Sequence, residues 1–234
     1  MRNNLVVQSN ALIEAHYRQE YTVQEQRTVL WLISEIHKED YLLSKNYPNK
    51  VIRITAKDYA DLMEISVRNV YRDAQKIADN LGSKRFTIQT ESGWINFGWI
   101  SSMEYKNGEG IIEAEISSKI LPYILDLKNK FTSFKLENIL YLKSSHAIKL
   151  YQLLAQYKAI GTREIQISDL RSILGIENSS TYQLYGNIKS KILEISKREI
   201  NTKTDLTISY FEVKKGRKVV SIKFKITQKK NVKC

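Results

Sequence analysis

One pattern occurs twice in this chain of 234 residues, and that repetition limits what the chain can fold into. The first copy runs Ile54-Thr55-Ala56-Lys57-Asp58-Tyr59-Ala60-Asp61-Leu62-Met63-Glu64-Ile65 and continues Ser66-Val67-Arg68-Asn69-Val70-Tyr71-Arg72. The second runs Ile165-Gln166-Ile167-Ser168-Asp169-Leu170-Arg171-Ser172-Ile173-Leu174-Gly175-Ile176. After a polar stretch it resumes as Tyr185-Gly186-Asn187-Ile188-Lys189. Each copy is a short amphipathic helix, a tight turn and a second helix that bears basic residues. Each follows an apolar helix and precedes strand-like segments. That order predicts a helix-turn-helix with a β-hairpin wing, twice in tandem: an α+β chain of two winged-helix domains.

Periodicity fills in the elements. Residues 24–36 hold Val29, Leu30, Leu32, Ile33 and Ile36 at helical spacing, with Trp31 beside them, and predict a core helix. Asn46-Tyr47-Pro48-Asn49 is a turn signal, and Val51-Ile52-Arg53-Ile54 alternates as a strand does. Thr55 with Asp58 resembles a capping box for a helix that buries Tyr59, Leu62 and Met63. A turn at Glu64-Ile65-Ser66 leads into a helix expected to reach about Asn80 and to stop at Gly82. Strands are expected at 86–90, 93–103 and 110–116, with Asn107-Gly108 as a hairpin turn. A helix near 118–127, with Pro122 in its first turns, closes the half. The short basic stretch 128–135 is the expected junction, which divides the chain into domains 1–130 and 131–234.

The second half repeats the plan. A helix over 145–158 buries Ala147, Ile148, Leu150, Tyr151, Leu154 and Tyr157 and ends at Gly161. A strand at 164–167 and a positioning helix at 168–174 follow. After a turn at 177–180, capped by Ser179 or Ser180, a long helix is expected from about Thr181 to Lys197. Leu184, Ile188, Ile192 and Ile195 form its core stripe. Strands at 206–214 and 218–226 flank Lys215-Gly216-Arg217, a doubly charged hairpin tip.

Charge points to the partner. Lys and Arg outnumber Asp and Glu, 37 to 25, for a net charge of +12. Between Lys189 and Cys234 stand 14 Lys and Arg against four Asp and Glu, so ten of the twelve surplus charges lie in the last fifth of the chain. A surplus that begins inside a recognition helix and continues into a hairpin suits double-stranded DNA better than a merely solvated face. In the first half the candidate contacts are Arg68, Asn69, Arg72 and Lys76, with Lys84 and Arg85 just beyond. In the second they are Ser180, Thr181 and Tyr182 in the first turn, then Asn187, Lys189 and Lys191, and Lys215, Arg217 and Lys218 at the wing. A recognition helix inserts its N-terminal side chains and one polar face into the major groove. An ordinary solvated helix face is the plainer alternative for each set. Most of the 14 tyrosines, Tyr59, Tyr71 and Tyr151 among them, sit at apolar-stripe positions and are expected to be structural.

No catalytic pattern emerges. His16, His37 and His146 lack metal-ligand spacing, so neither a metal nor another cofactor is expected. A rolling-circle nickase would need paired histidines beside a tyrosine nucleophile. The interval from Gly93 to Gly98 leads to Trp99 rather than to Lys-Ser or Lys-Thr, so it is no phosphate loop. The one cysteine is Cys234, which excludes a disulfide framework. No apolar run approaches a membrane span and no signal-peptide core follows Met1, so a cytoplasmic, non-enzymatic protein without a membrane partner is expected.

Several runs resemble a known family. Val6-Val7-Gln8-Ser9-Asn10-Ala11-Leu12-Ile13 and Gln26-Arg27 are similar to the opening of iteron-binding plasmid replication initiators. More specific are Ala147-Ile148-Lys149-Leu150-Tyr151-Gln152-Leu153-Leu154 and Tyr185-Gly186-Asn187-Ile188-Lys189. So are Arg198-Glu199-Ile200-Asn201, Thr204-Asp205-Leu206 and Gly216-Arg217-Lys218-Val219. Lys149 departs from the family's usual Arg, and Ile195-Ser196 from a more common Pro-Ala pair. The resemblance implies monomers on directly repeated origin sites, duplex melting and recruitment of host replication proteins. It also implies dimers, joined through the first domain, on an inverted-repeat operator. A transcriptional repressor that binds such an operator without initiating replication is the alternative.

Overall fold

The computed structural model describes residues 4–37, 50–125, 127 and 130–229; the turn expected at 46–49 lies outside them. The chain opens with β1 (Leu5–Ser9), α1 (Asn10–Ile13), β2 (His16–Tyr17) and α2 (Val23–Ser34). Thr22 and Glu25 close a reciprocal capping box at the start of α2. The expected core helix is buried on every side from Glu25 to Ser34, so its polar groups need partners inside the protein. Gln26 Nε2 donates to the Ser145 carbonyl at 2.9 Å, and Thr28 Oγ1 to the Gln24 carbonyl at 2.9 Å.

The first repeat is β3 (Lys50–Thr55), α3 (Ala56–Met63), a 3-10 turn (Val67–Asn69) and α4 (Val70–Ser83). Thr55 caps α3 as expected: its Oγ1 accepts from the Asp58 amide at 3.1 Å and donates to the Asp58 carboxylate at 2.7 Å. The expected stop at Gly82 does not occur. α4 runs through Gly82 and ends where Lys84 turns extended, at φ −79° and ψ 130°. A glycine inside a helix costs only about 1 kcal/mol relative to Ala, which the packing of Ile77 and Leu81 outweighs.

Strands β4 (Phe86–Thr90), β5 (Gly93–Phe97), β6 (Ile100–Lys106) and β7 (Ile111–Ile116) follow. The single strand expected over 93–103 is therefore two. It breaks at Gly98-Trp99, where buried Trp99 packs against Phe86 and the chain passes from one sheet to another. β2, β4 and β5 form one sheet; β3, β7 and β6 form a second, in that order. The helix expected over 118–127 shrinks to α5 (Pro122–Leu125), preceded by hydrogen-bonded turns at Ile120 and Leu121.

The stretch expected as a junction contains β8 (Phe131–Lys135), which pairs antiparallel with β1 from Leu5↔Lys135 to Ser9↔Phe131. Thr132 and Phe134 turn inward and give this strand a buried face. α6 (Glu137–Leu140) and α7 (Ser145–Ala155) come next, and α7 is buried from Ala147 to Ala155. Lys149 is wholly enclosed, with Nζ 4.1 Å from the Tyr17 ring centroid, and burial pushes its pKa down to about 7.

The second repeat is β9 (Thr162–Gln166), α8 (Ile167–Leu174), a 3-10 turn (Ser180–Tyr182), α9 (Tyr185–Ile188), a π-helical turn (Lys189–Leu193) and α10 (Glu194–Lys203). β10 (Leu206–Lys215) and β11 (Lys218–Gln228) complete it. Its sheet order, β9-β11-β10, matches β3-β7-β6 strand for strand. The β4–β5 hairpin is thus an insertion peculiar to the first repeat. The two halves share one continuous apolar core.

The expected helix over 181–197 begins later and ends later. Leu184 stands outside it, extended and 70% exposed, rather than in the core stripe. The π-helical turn inserts a residue, so the inward positions become Ile188, Ile192, Leu193 and Ile200, and Ile195 is only half-buried.

Candidate nucleic-acid interface

The two helix-turn-helix corners are built alike and held differently. α3 ends at Glu64 with φ 58° and ψ 44°; α8 ends at Gly175 with φ 72° and ψ 27°. Both are left-handed, a conformation that costs a side-chain-bearing residue roughly 1–2 kcal/mol and glycine almost nothing. Gly175 has a second reason to be glycine: an added Cβ would lie 2.5 Å from the carbonyl oxygen of Gln19. Gly175→Ala is therefore expected to destabilise the chain by about 3 kcal/mol, from backbone strain plus that clash. Urea unfolding measures it, and an unchanged midpoint would refute the close approach.

Past Gly175 the turn is pinned by side chains. Arg171, on α8, donates from Nη2 to the carbonyls of Tyr182 at 3.1 Å and Gln183 at 2.9 Å. Gln183 Nε2 donates to the Glu177 carbonyl at 2.7 Å. Asn187 Nδ2 donates to the Thr181 carbonyl at 2.6 Å, so its amide is engaged in holding the entry to α9. Ser180 and Thr181 are exposed on that entry. Tyr182 instead turns inward, half-buried and edge-on to His146 at 5.6 Å.

The face of α9 and the π-helical turn is open. Gly186 has nothing within 4 Å of a would-be Cβ, and Lys189, Ser190 and Lys191 are exposed in succession. The two lysines expected among its contacts differ. Lys189 Nζ lies 2.7 Å from Glu212 on β10, and its ammonium holds that carboxyl below its usual pKa. Lys191 projects outward.

Beside this face stands the β10–β11 hairpin. A register shift between Val213 and Lys214 bends it, and its tip presents Lys214, Lys215, Arg217 and Lys218, all exposed. Not all of the C-terminal charge faces the same way. Ile222, Phe224 and Ile226 turn toward the core, so Lys223 and Lys225 lie on the opposite face of the sheet. Lys229 Nζ donates to the carbonyls of Asn201 and Thr204, each at 2.7 Å.

In the first repeat Arg68, Asn69, Arg72 and Lys76 are exposed along one side of the turn and α4, and Arg72 Nη2 donates to Asn69 Oδ1 at 3.3 Å. Lys84 is a correction. Its Nζ sits 2.5 Å from the fully buried Glu25 carboxylate, 2.8 Å from the Glu20 carbonyl and 4.9 Å from the Tyr21 ring centroid. It plugs a core charge rather than facing a partner. Arg85 is exposed but bonded to Asn96 through Nε at 3.1 Å and Nη2 at 3.0 Å. Tyr71, expected to be structural, is 52% exposed and edge-on to Tyr105. The first hairpin tip, at 107–110, has no cationic cluster: Lys106 is paired with Glu104 at 2.8 Å and Glu113 at 3.7 Å. The wings are alike in topology and unlike in charge.

Sequence reasoning passed over Arg171, Glu212, Glu64 and Gly175 as site-building residues. Only Gly175, a glycine directly after an amphipathic helix, carried a local signal of its role. Among the described residues no cluster of His, Cys, Asp and Glu could hold a metal ion, and no helix is long and apolar enough to cross a membrane.

Comparison with known proteins fits this geometry. The family described as "Initiator Replication protein, WH1" matches residues 5–155, and "Initiator Rep protein, WH2" matches residues 166–226. The chain belongs to the initiator replication protein family. Its two winged-helix units are the family's WH1 and WH2. Among family-like relatives, an Escherichia coli protein described as "Uncharacterized 27.6 kDa protein" is 26% identical over 230 residues, 93% of each chain. The PI protein of Escherichia coli is 26% identical over 212 residues, 75% of this chain and 68% of that one. The crystal structure of Pi initiator protein in complex with iteron DNA superposes with a TM-score of 0.76 at 20% identity, over 99% of this chain and 100% of that one. That likeness establishes the shared fold of the initiator.

Proposed function

We propose that this initiator starts plasmid replication by binding directly repeated origin sites, iterons, in double-stranded DNA. The observation that carries the reading is the pair of units with the same strand order, each with an exposed polar helix face, in a chain that shares its fold with an initiator crystallised on iteron DNA. In this reading α4 and α9 enter successive major grooves, about one helical turn apart. Arg68, Asn69, Arg72 and Lys76 serve the first groove; Ser180, Thr181 and Lys191 serve the second. Lys215, Arg217 and Lys218 grip phosphate, which positions the reading helix without specifying bases. Residues 131–234 supply the principal contacts because the free positive charge is concentrated there, and residues 1–130 also join two copies when the protein dimerises on an inverted-repeat operator. Origin melting and recruitment of host replication proteins follow binding, in the cytoplasm and without a catalytic step by this chain.

Footprinting on the DNA that surrounds its own gene tests the proposal. Protection of short direct repeats, one protein per repeat, is expected. Protection of a lone inverted repeat, together with failure of the gene and its flanks to sustain an origin-less plasmid, would make it a repressor instead.

A further inference from the structure

Glu64 is a strained residue with an electrostatic occupation. Its counterpart in the second repeat is Gly175, and the left-handed corner tolerates glycine without penalty. A glutamate there has something to do beyond closing the turn. Its carboxylate takes Lys143 Nζ in a short ion pair and lies 3.4 Å from Nη1 of Arg27, whose side chain is 2% exposed. Arg27 Nη2 donates in turn to the carbonyl of Leu140 and, at 3.3 Å, to that of Leu142. The Lys143 ammonium, and behind it Arg27, hold the Glu64 carboxyl below its usual pKa.

The other side of the same segment belongs to the second repeat. Glu199, on α10, accepts from the backbone amides of Lys143 at 2.7 Å and Ser144 at 3.2 Å. Residues 140–144 are therefore held from both directions, by the turn of one helix-turn-helix and by the rod that continues the recognition helix of the other. The second corner is also a contact between the halves, since Gln19 rests on Gly175.

We propose that Lys143 is a positioning residue: its pairing with Glu64, on a backbone gripped by Glu199, sets the separation of the two reading helices and hence the half-site spacing that the protein accepts. This rests on the reading that both helices engage one duplex. The pair is more than a third exposed on both sides, so it adds little to stability, and its loss leaves the fold intact. Its effect is on geometry.

The test measures binding of the full chain to a duplex carrying its own footprinted repeat and to the same duplex with one or two base pairs inserted between the half-sites. The wild type is expected to lose affinity with each insertion. In Lys143→Met that spacing penalty is expected to fall about fivefold, the scale of one exposed ion pair, while affinity for the isolated second half-site is unchanged. A mere phosphate contact by Lys143 would lower affinity at every spacing alike. Glu64→Gln, which removes the charge that pairs with Lys143 but leaves an amide oxygen for the buried Arg27 to donate to, should reproduce the effect. In parallel, spin labels on cysteines at Lys57 and Lys225, with Cys234→Ser, report the distance between the halves without DNA; Lys143→Met is expected to broaden that distribution. A spacing penalty and a distance distribution both equal to wild type overturn the proposal. A wild-type chain that binds no direct repeat sinks the initiator reading instead, and the label distances then still decide whether Lys143 sets the separation.

Discussion

Lys84→Met is expected to lower the stability of this initiator by about 3–5 kcal/mol, the cost of leaving a buried carboxylate without its counterion. Glu25 is fully enclosed, and Lys84 reaches it at 2.5 Å with a side chain only 12% exposed. For a domain pair of this size the melting temperature should drop by roughly 10 °C. Adding Glu25→Gln should restore part of the loss, because a neutral amide costs less to bury than an unpaired charge. Unfolding of the two variants side by side measures both. Normal stability with weakened DNA binding would return Lys84 to the interface, where its sequence position first places it.

The second large effect belongs to the wing. Replacing Lys215, Arg217 and Lys218 by Ala removes three exposed charges at the end of β10–β11. If each neutralises one phosphate, the slope of log affinity against log salt should become shallower by about 2.7, at roughly 0.9 per contact. At ~0.15 M salt the same counterion release corresponds to a fall of about a hundredfold in affinity. Preference among sequences should survive, since backbone contacts carry little base information. Titrations at several salt concentrations decide it; an unaltered slope would remove the wing from the interface. Equivalent changes around the first hairpin tip should do far less, because Lys106 is already paired with Glu104 and Glu113.

The outcome at individual residues explains what could be foreseen. The start of α3 was legible because a cap is a contact three residues long: Thr55 and Asp58 find each other whatever surrounds them. The core of α2 was legible because its apolar spacing can be satisfied only by burial. The split of the strand expected over 93–103 was not, because Phe97 and Trp99 alternate as one strand would, and only the presence of two separate sheets parts them. The stripe failed at Leu184 because the helix begins one residue later, and at Ile195 because a π-helical turn changes the period from within, and no single residue announces either. The exposed polar face of the 3-10 turn and α4 was visible as a row of Arg68, Arg72 and Lys76, while the division between Lys189 and Lys191 was not.

Taken alone, the sequence determined that this protein is a doubled strand-helix-turn-helix-hairpin chain with a positive excess toward its end. Those properties follow from periodicity, caps and charge count, all of which act over a few neighbouring residues. Tertiary structure decided which of the positive charges are available. Lys84 meets a carboxylate 59 positions away, Lys189 one 23 away and Lys143 one 79 away. A side chain carries its charge wherever it is, but whether that charge is already spent on a partner depends on what the folded backbone brings within about 4 Å of it.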